Sequence, residues 1–381
     1  MTRGIGQAAV SAVSARGHDI MATAETAPRA AMGQFERASF TGSASEYFGI
    51  WIVNVLLTII TLGIYSAWAK VRRNRYFYGN TVILGRAFEY HASGMQIFIG
   101  RLIVIGFFIV VNILSIIHPL FSLVTTVLIL IALPWLLKRG LRFSARVTSY
   151  RNVRFDFVGS AWGAFVSILL GSVVAFISFG ILAPLASRWL WRYIFNNMRY
   201  GDRPFVTEPR LGALYRVWIV PALMVLLGAV ISAAVFFAIA FAAGVFSDEG
   251  PRSSGATGGL VFATFPVVIV VFLLYGVAAL FYRAGVRNVV WSAAELDGRH
   301  HLISDISRFR YAWIAISNVV VTVFTLGLMR PWAAVRMARY VCEHTGIRIN
   351  GDPGEILSSI ETSGAAISAE YMDMEGFDFG F

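Results

Sequence analysis

The sequence predicts an all-α polytopic membrane protein with seven hydrophobic segments, a threefold helix-Gly-helix repeat and small β-hairpins in its surface loops. Three observations carry that class. Of the 381 residues 57% are hydrophobic and 14% charged, whereas soluble domains hold about 45–50% and 25%. The mean hydropathy is +0.68. Long stretches lack Asp, Glu, Lys and Arg altogether, as a bilayer demands, because a charge at its centre costs about 2.5–3.5 kcal/mol on insertion scales.

Six such runs occur, at residues 47–69, 102–137, 157–187, 217–247, 253–282 and 311–329. A span needs about 20 apolar residues, so five of them read as one segment each. The second is divided at His118-Pro119, where proline breaks a helix, giving seven segments in all. Residues 1–34 are Ala-rich, carry Arg3, Arg16 and Arg29 and contain no sustained apolar run. They read as a disordered segment without the apolar core of a secretory signal, with Met21 and Met32 as alternative starts. Residues 35–350 form the membrane domain. Residues 351–381, with seven acids from Asp352 onward and no base, read as an acidic disordered tail whose Phe377, Phe379 and Phe381 offer a docking peptide to a protein partner.

Self-comparison gives the strongest signal. Thr61-Leu62-Gly63-Ile64-Tyr65-Ser66-Ala67-Trp68-Ala69 aligns without gaps with the stretches beginning Ser178-Phe179-Gly180 and Thr325-Leu326-Gly327. The repeats lie near 46–81, 163–198 and 310–345. Each reads as an apolar helix stopped by glycine (Gly63, Gly180, Gly327), which accepts a left-handed C-cap. A second helix follows, with Pro184 and Pro331 in its first turn, where proline is tolerated. In the first repeat Arg72, Arg75, Tyr76 and Asn80 share one face of that helix; the third keeps Arg336, Arg339, Tyr340 and His344. The middle repeat has Arg192 and Tyr193, with Trp189 in the first position and Arg188 one residue earlier. After the third and sixth segments, Arg142, Arg146 and Tyr150 echo Arg283, Arg287 and Trp291, so the two long apolar hairpins read as units interleaved with the three Gly-broken ones.

Short extended stretches flank Gly85-Arg86 and Gly201-Asp202 in hairpin fashion, with weaker single pieces at 152–157 and 346–349. If all seven segments span, Arg-rich loops fall on both sides and the positive-inside rule cannot orient the chain. The alternative is four full spans plus three re-entrant segments. The return helices would then hold Lys70, Arg72, Arg75, Arg188, Arg192, Arg336 and Arg339 around a cationic vestibule. Against it stands a simpler arrangement, with those helices flat at the interface and their arginines snorkelling to headgroups.

Residues 46–350 hold 28 basic and 11 acidic groups, a net +17 hidden inside the overall +11. The excess follows the ends of the apolar runs, where anionic lipid accounts for it and nucleic acid is not needed. One cysteine, Cys342, excludes an intramolecular disulfide and reads as an apolar filler. His300-His301 near Asp297 and Asp305 reads as a solvated pair and not a metal site. No nucleophile elbow, phosphate loop or dinucleotide fingerprint sits in a fitting context. Neither a cofactor nor a catalytic residue is expected.

The run from Phe40-Thr41-Gly42 and Glu46-Tyr47-Phe48, through residues 61–72, to Arg75-Tyr76-Phe77-Tyr78 and Asn80-Thr81 resembles the YjgN family of bacterial inner-membrane proteins. The resemblance extends more loosely over residues 35–350, and the middle repeat departs from it most. It implies a multi-pass inner-membrane protein. Because the family's defining domain is of unknown function, it carries over no binding or catalytic residue. The expected function is therefore transport or handling of an anionic solute or phospholipid. Lys70, Arg72, Arg75, Arg188, Arg192, Arg336 and Arg339 are the anion-binding candidates, and Tyr76, Tyr193 and Tyr340 stack or anchor at the interface. Membrane lipids are the expected partners. The alternative is a non-catalytic membrane scaffold.

Overall fold

The structure, a computed structural model, describes residues 35–242 and 254–350, with Ser358. The expectations for residues 1–34 and, Ser358 apart, for the acidic tail concern residues outside those described. Among the described residues ten helices pair consecutively: α1 (Ala44–Ile60) with α2 (Ser66–Gly79), α3 (Gly94–Ile117) with α4 (Pro119–Arg146), α5 (Ala161–Ile177) with α6 (Ala183–Asn196), α7 (Leu211–Ala242) with α8 (Ser254–Ser292), and α9 (Arg308–Phe324) with α10 (Arg330–Glu343). A π-helical turn, Phe165–Leu170, interrupts α5. His118 is extended between α3 and α4, its ring accepting from the N–H of Leu120, so the proline divides the second apolar run where expected.

Eleven short strands join these pairs: β1 (Phe35–Arg37), β2 (Ser39–Phe40), β3 (Thr81–Ile83), β4 (Arg86–Tyr90), β5 (Thr148–Tyr150), β6 (Val153–Phe157), β7 (Met198–Tyr200), β8 (Arg203–Thr207), β9 (Ala294–Leu296), β10 (His300–Ser304) and β11 (Thr345–Arg348). Each helix pair is flanked by two strands that pair with each other, so the chain is five strand-helix-helix-strand units. Successive units are joined by tight hairpins. Leu84-Gly85 and Arg151-Asn152 take positive φ at both turn positions, the type I′ geometry that matches strand twist.

All eleven strands form one antiparallel sheet in the order β1-β11-β10-β9-β8-β7-β6-β5-β4-β3-β2. Its two ends belong to one stretch of chain: β1 pairs with β11, β2 pairs with β3, and only Ala38 separates β1 from β2. The Ala38 N–H donates to Thr345 O at 2.8 Å. The sheet thereby curls into a nearly closed barrel, and the fifth unit lies beside the first. This corrects the all-α reading. The local hairpins are there, but they pair with one another around a ring, which strands of two to five residues separated by whole helix pairs do not reveal.

The helices come in two sizes. α3, α4, α7 and α8 are long and apolar enough to cross a membrane, and almost none of the residues in their most apolar stretches are buried by protein. The pairs α1–α2, α5–α6 and α9–α10 have only 14 to 17 residues per helix, about 21–26 Å at 1.5 Å per residue, shorter than a hydrocarbon core of about 30 Å. They turn back at Leu62-Gly63, Phe179-Gly180 and Leu326-Gly327. The glycines have φ of +93, +83 and +90°, and their N–H groups reach back to Thr58, Ala175 and Thr322 O at 2.7, 2.8 and 2.7 Å, the six-to-one closure of a Schellman cap. The tip residues Leu62, Phe179 and Leu326 are 94, 97 and 94% exposed.

Every helix pair begins and ends at the sheet, which resolves the charge conflict. Of the 28 basic residues in 46–350, Arg252 falls between α7 and α8 and Arg330 opens α10 just past its tip; the other 26 lie in segments that lead into or out of the sheet. The positive-inside rule then assigns the sheet to the cytoplasmic face.

Candidate functional site

The repeat tyrosines fasten each short unit. Tyr76, Tyr193 and Tyr340 donate to the carbonyls of Ser43, Ser160 and Ser307 at 2.7, 2.8 and 3.2 Å. Those serines are the N-caps of α1, α5 and α9, so each hydroxyl ties the second helix to the start of the first. A Cβ on Gly42 or Gly159 would stand 2.7 or 2.8 Å from the Tyr76 or Tyr193 hydroxyl, so both positions need glycine. Burial pushes the Tyr193 phenol up to about 12 and raises Tyr340 in the same direction. For Tyr76, burial and the Glu46 carboxylate act together. Asn80, Asn197 and His344 close the second helices by bonding the same tyrosines' carbonyls, each at 2.8 Å.

The repeat arginines reach across unit boundaries. Arg75 donates to Ala92 O at 3.5 Å, and Arg192 pairs with Glu208 at 2.7 Å. Arg339 donates to Gly42 O at 3.1 Å, from the last unit to the first. In all three cases the acceptor lies in the segment leading into the next helix pair. Arg188 shares Glu208 with Arg192, at 3.5 Å. Arg336 is held by Ser317 and Asn318 Oδ1 at 2.8 and 3.2 Å and lies over Trp332, while Arg72 lies 5.7 Å from the Tyr65 ring centroid. Lys70 and Arg72 are exposed. The candidates thus occupy equivalent places in three units, each with its own local partners, and not one shared cluster.

What the structure does bring together is a cavity of about 560 Å³ between the barrel and the second helix of every pair. Its wall is built in rings of five. One comes from the penultimate residues of those helices: Tyr78, Ala145, Phe195, Trp291 and Cys342. A second comes from the third residue of β3, β5, β7, β9 and β11: Ile83, Tyr150, Tyr200, Leu296 and Ile347. Strand alternation puts these inside, and leaves Glu89, Arg154 and Arg199 on the other face. Phe88, Tyr150, Phe155 and Tyr200 pack ring against ring there, with centroids 4.9 to 6.4 Å apart.

Few polar groups line this space. His300 is 3% exposed, accepts from the N–H of Asn350 at 3.3 Å and is held below its usual range chiefly by burial. His301, one residue on, points the other way and pairs with Glu295 at 3.3 Å, so the two histidines are not the solvated pair the sequence suggests. Burial pushes the Cys342 thiol up, as befits an apolar filler. No group of three metal-binding side chains occurs among the described residues. Among the described residues Arg287 is the one charged side chain in the wall, donating to Thr345 Oγ1 at 2.7 Å and lying 4.3 Å from the Trp291 ring centroid. Sequence reasoning noted Arg287 and Trp291 only as a spacing echo, since their inward position depends on ring closure.

A ring of paired helices, four of them long enough to span, set on one antiparallel sheet defines a polytopic integral membrane protein. Residues 35–374 match the family of bacterial proteins of unknown function DUF898, and the chain belongs to that family. It is 26% identical over 356 residues, 82% of this chain and 88% of the relative, to the inner membrane protein YjgN of Salmonella typhimurium. It is 31% identical over 201 residues to the inner membrane proteins YjgN of Escherichia coli O157:H7 and K12, spanning 44% of this chain and 50% of each. The protein is therefore an integral, multi-pass protein of the bacterial inner membrane. No solved structure matches it.

Proposed function

We propose that this protein handles an anionic amphiphile of the inner membrane, of the phospholipid or fatty-acid class, and takes its apolar part into the cavity on the ring axis. The observation that carries this reading is the cavity itself. Its volume of about 560 Å³ lies within the 300–1,000 Å³ typical of ligand sites, and its wall is apolar and aromatic with few polar groups, as such sites are. Lys70 and Arg72, exposed on α2, meet headgroups of the surrounding leaflet. Arg75, Arg188, Arg192 and Arg339 contribute by holding neighbouring units in place around the space, and Arg336 by tying the two helices of the last unit together.

The test is lipid analysis of protein purified in a mild detergent, together with flux of labelled phospholipid across reconstituted vesicles. The reading expects anionic lipid retained in stoichiometric amount after detergent exchange. Protein that carries no more lipid than a control membrane protein, and moves none, overturns it. Loss of a co-purified protein on deleting residues 352–381, with no lipid retained by the intact chain, favours a scaffold instead.

A further inference from the structure

We infer that Arg287, with the indole N–H of Trp291, forms the headgroup end of the cavity and binds the carboxylate or phosphate of a bound amphiphile. The inference rests on the lipid-handling reading above and adds the ligand's orientation and charge. In each unit the second helix ends two residues before the next strand begins: Arg146 before Thr148 and Ser292 before Ala294 in the long units. That register puts Arg287 in the ring occupied elsewhere by Asn74, Leu141, Trp191 and Ala338, and Leu141 and Trp191 also line the cavity. One member of an otherwise uncharged ring is therefore a guanidinium.

Its surroundings leave it uncompensated. In the other long unit Arg142 and Arg146 share Asp156, at 3.5 and 3.0 Å. Arg287 forms no ion pair with a carboxylate among the described residues, and its nearby polar groups are Thr345, Cys342, Tyr311 and Arg283. Its Nε and the Trp291 Nε1 are both buried without a hydrogen-bond partner, although such donors are nearly always satisfied. The indole beneath the guanidinium fixes its plane. An anionic oxygen seated here would compensate the charge and accept from both donors, while the acyl chain follows the aromatic wall past Phe195 and Tyr200. A guanidinium binds carboxylate and phosphate alike, so the two headgroups are separated by experiment.

Purified full-length protein is titrated with oleic acid, oleoyl-lysophosphatidic acid and neutral monoolein, with binding read by native mass spectrometry. Wild type is expected to prefer the anions, and the tighter of the two identifies the headgroup. Arg287→Leu, which installs the residue of the equivalent position 141, is expected to weaken anion binding about tenfold or more, the size of one lost charge-assisted hydrogen bond, with monoolein unchanged. Arg287→Lys, which keeps the charge, is expected to retain part of the preference and guards against misfolding of the leucine variant. Anion preference intact in a folded Arg287→Leu protein overturns the inference while leaving lipid handling standing. Failure of wild type to bind any of the three overturns both.

Discussion

Single side chains in this protein act mainly as fasteners. Tyr340 both donates to Ser307 O and accepts from Ser307 N, at 3.2 and 3.1 Å. Tyr340→Phe is therefore expected to cost about 1–3 kcal/mol, because two bonds are lost. Tyr193→Phe, losing one bond, should cost about 1 kcal/mol; thermal unfolding in detergent measures both. His300 supplies a pH dependence. Its pKa is depressed in the fold by burial, so its contribution is complete above the ordinary histidine value of about 6.5 and is lost as pH falls through the lower folded value. Melting temperature should drop between pH 7 and pH 5, and His300→Leu should flatten that drop. The repeat arginines and tyrosines were legible as equivalent positions from spacing alone. Their partners were not, because Ser43, Glu208 and Gly42 come from other segments.

Among the elements, the short helix pairs depend on their tips. Gly63, Gly180 and Gly327 stand in open space, so an added methyl meets no neighbour and strains only the backbone. Alanine at any one should cost about 1–2 kcal/mol through its positive φ, visible as a lower melting temperature. The tip residues test membrane depth. Leu326→Asp is expected to lower the yield of folded protein in membranes, approaching the cost of about 2.5–3.5 kcal/mol for a charge at the bilayer centre as the tip nears it. A water-exposed tip would tolerate the change. Helices, their glycine stops and the hairpin turns at Gly85 and Gly201 follow from local sequence. β5 and β9 did not, since three residues such as Thr148–Tyr150 and Ala294–Leu296 carry too little alternation to be read. Arg151 and Asn152 form a turn without glycine.

For the molecule as a whole, topology fixes sidedness. With Cys342→Ala as background, a cysteine in the Gly201-Asp202 hairpin should react with a membrane-impermeant maleimide only when the cytoplasmic face is opened. One placed at His118 should react from outside. Labelling of both from the same side would sink the arrangement. Closure of the barrel makes a separate prediction. Removal of residues 1–34 should leave the described fold intact, whereas removal of residues 1–40 deletes β1 and β2 and exposes the edges of β3 and β11. The truncated protein should lose its sharp melting transition. The sequence contains the units but not their closure, because the seam joins Phe35 to Arg348 with all five units between them.

That seam also sets an order of events during synthesis. β1 is among the first described elements to leave the ribosome, but its partner β11 is the last. Until then the early strands present unpaired edges to the cytoplasm, a condition that favours aggregation in slow-folding, high-contact-order chains. Termination anywhere before residue 345 yields helices able to insert but no closed rim. Inserted fragments of this kind are expected to be short-lived substrates for membrane proteases, and only the chain that has reached β11 escapes them.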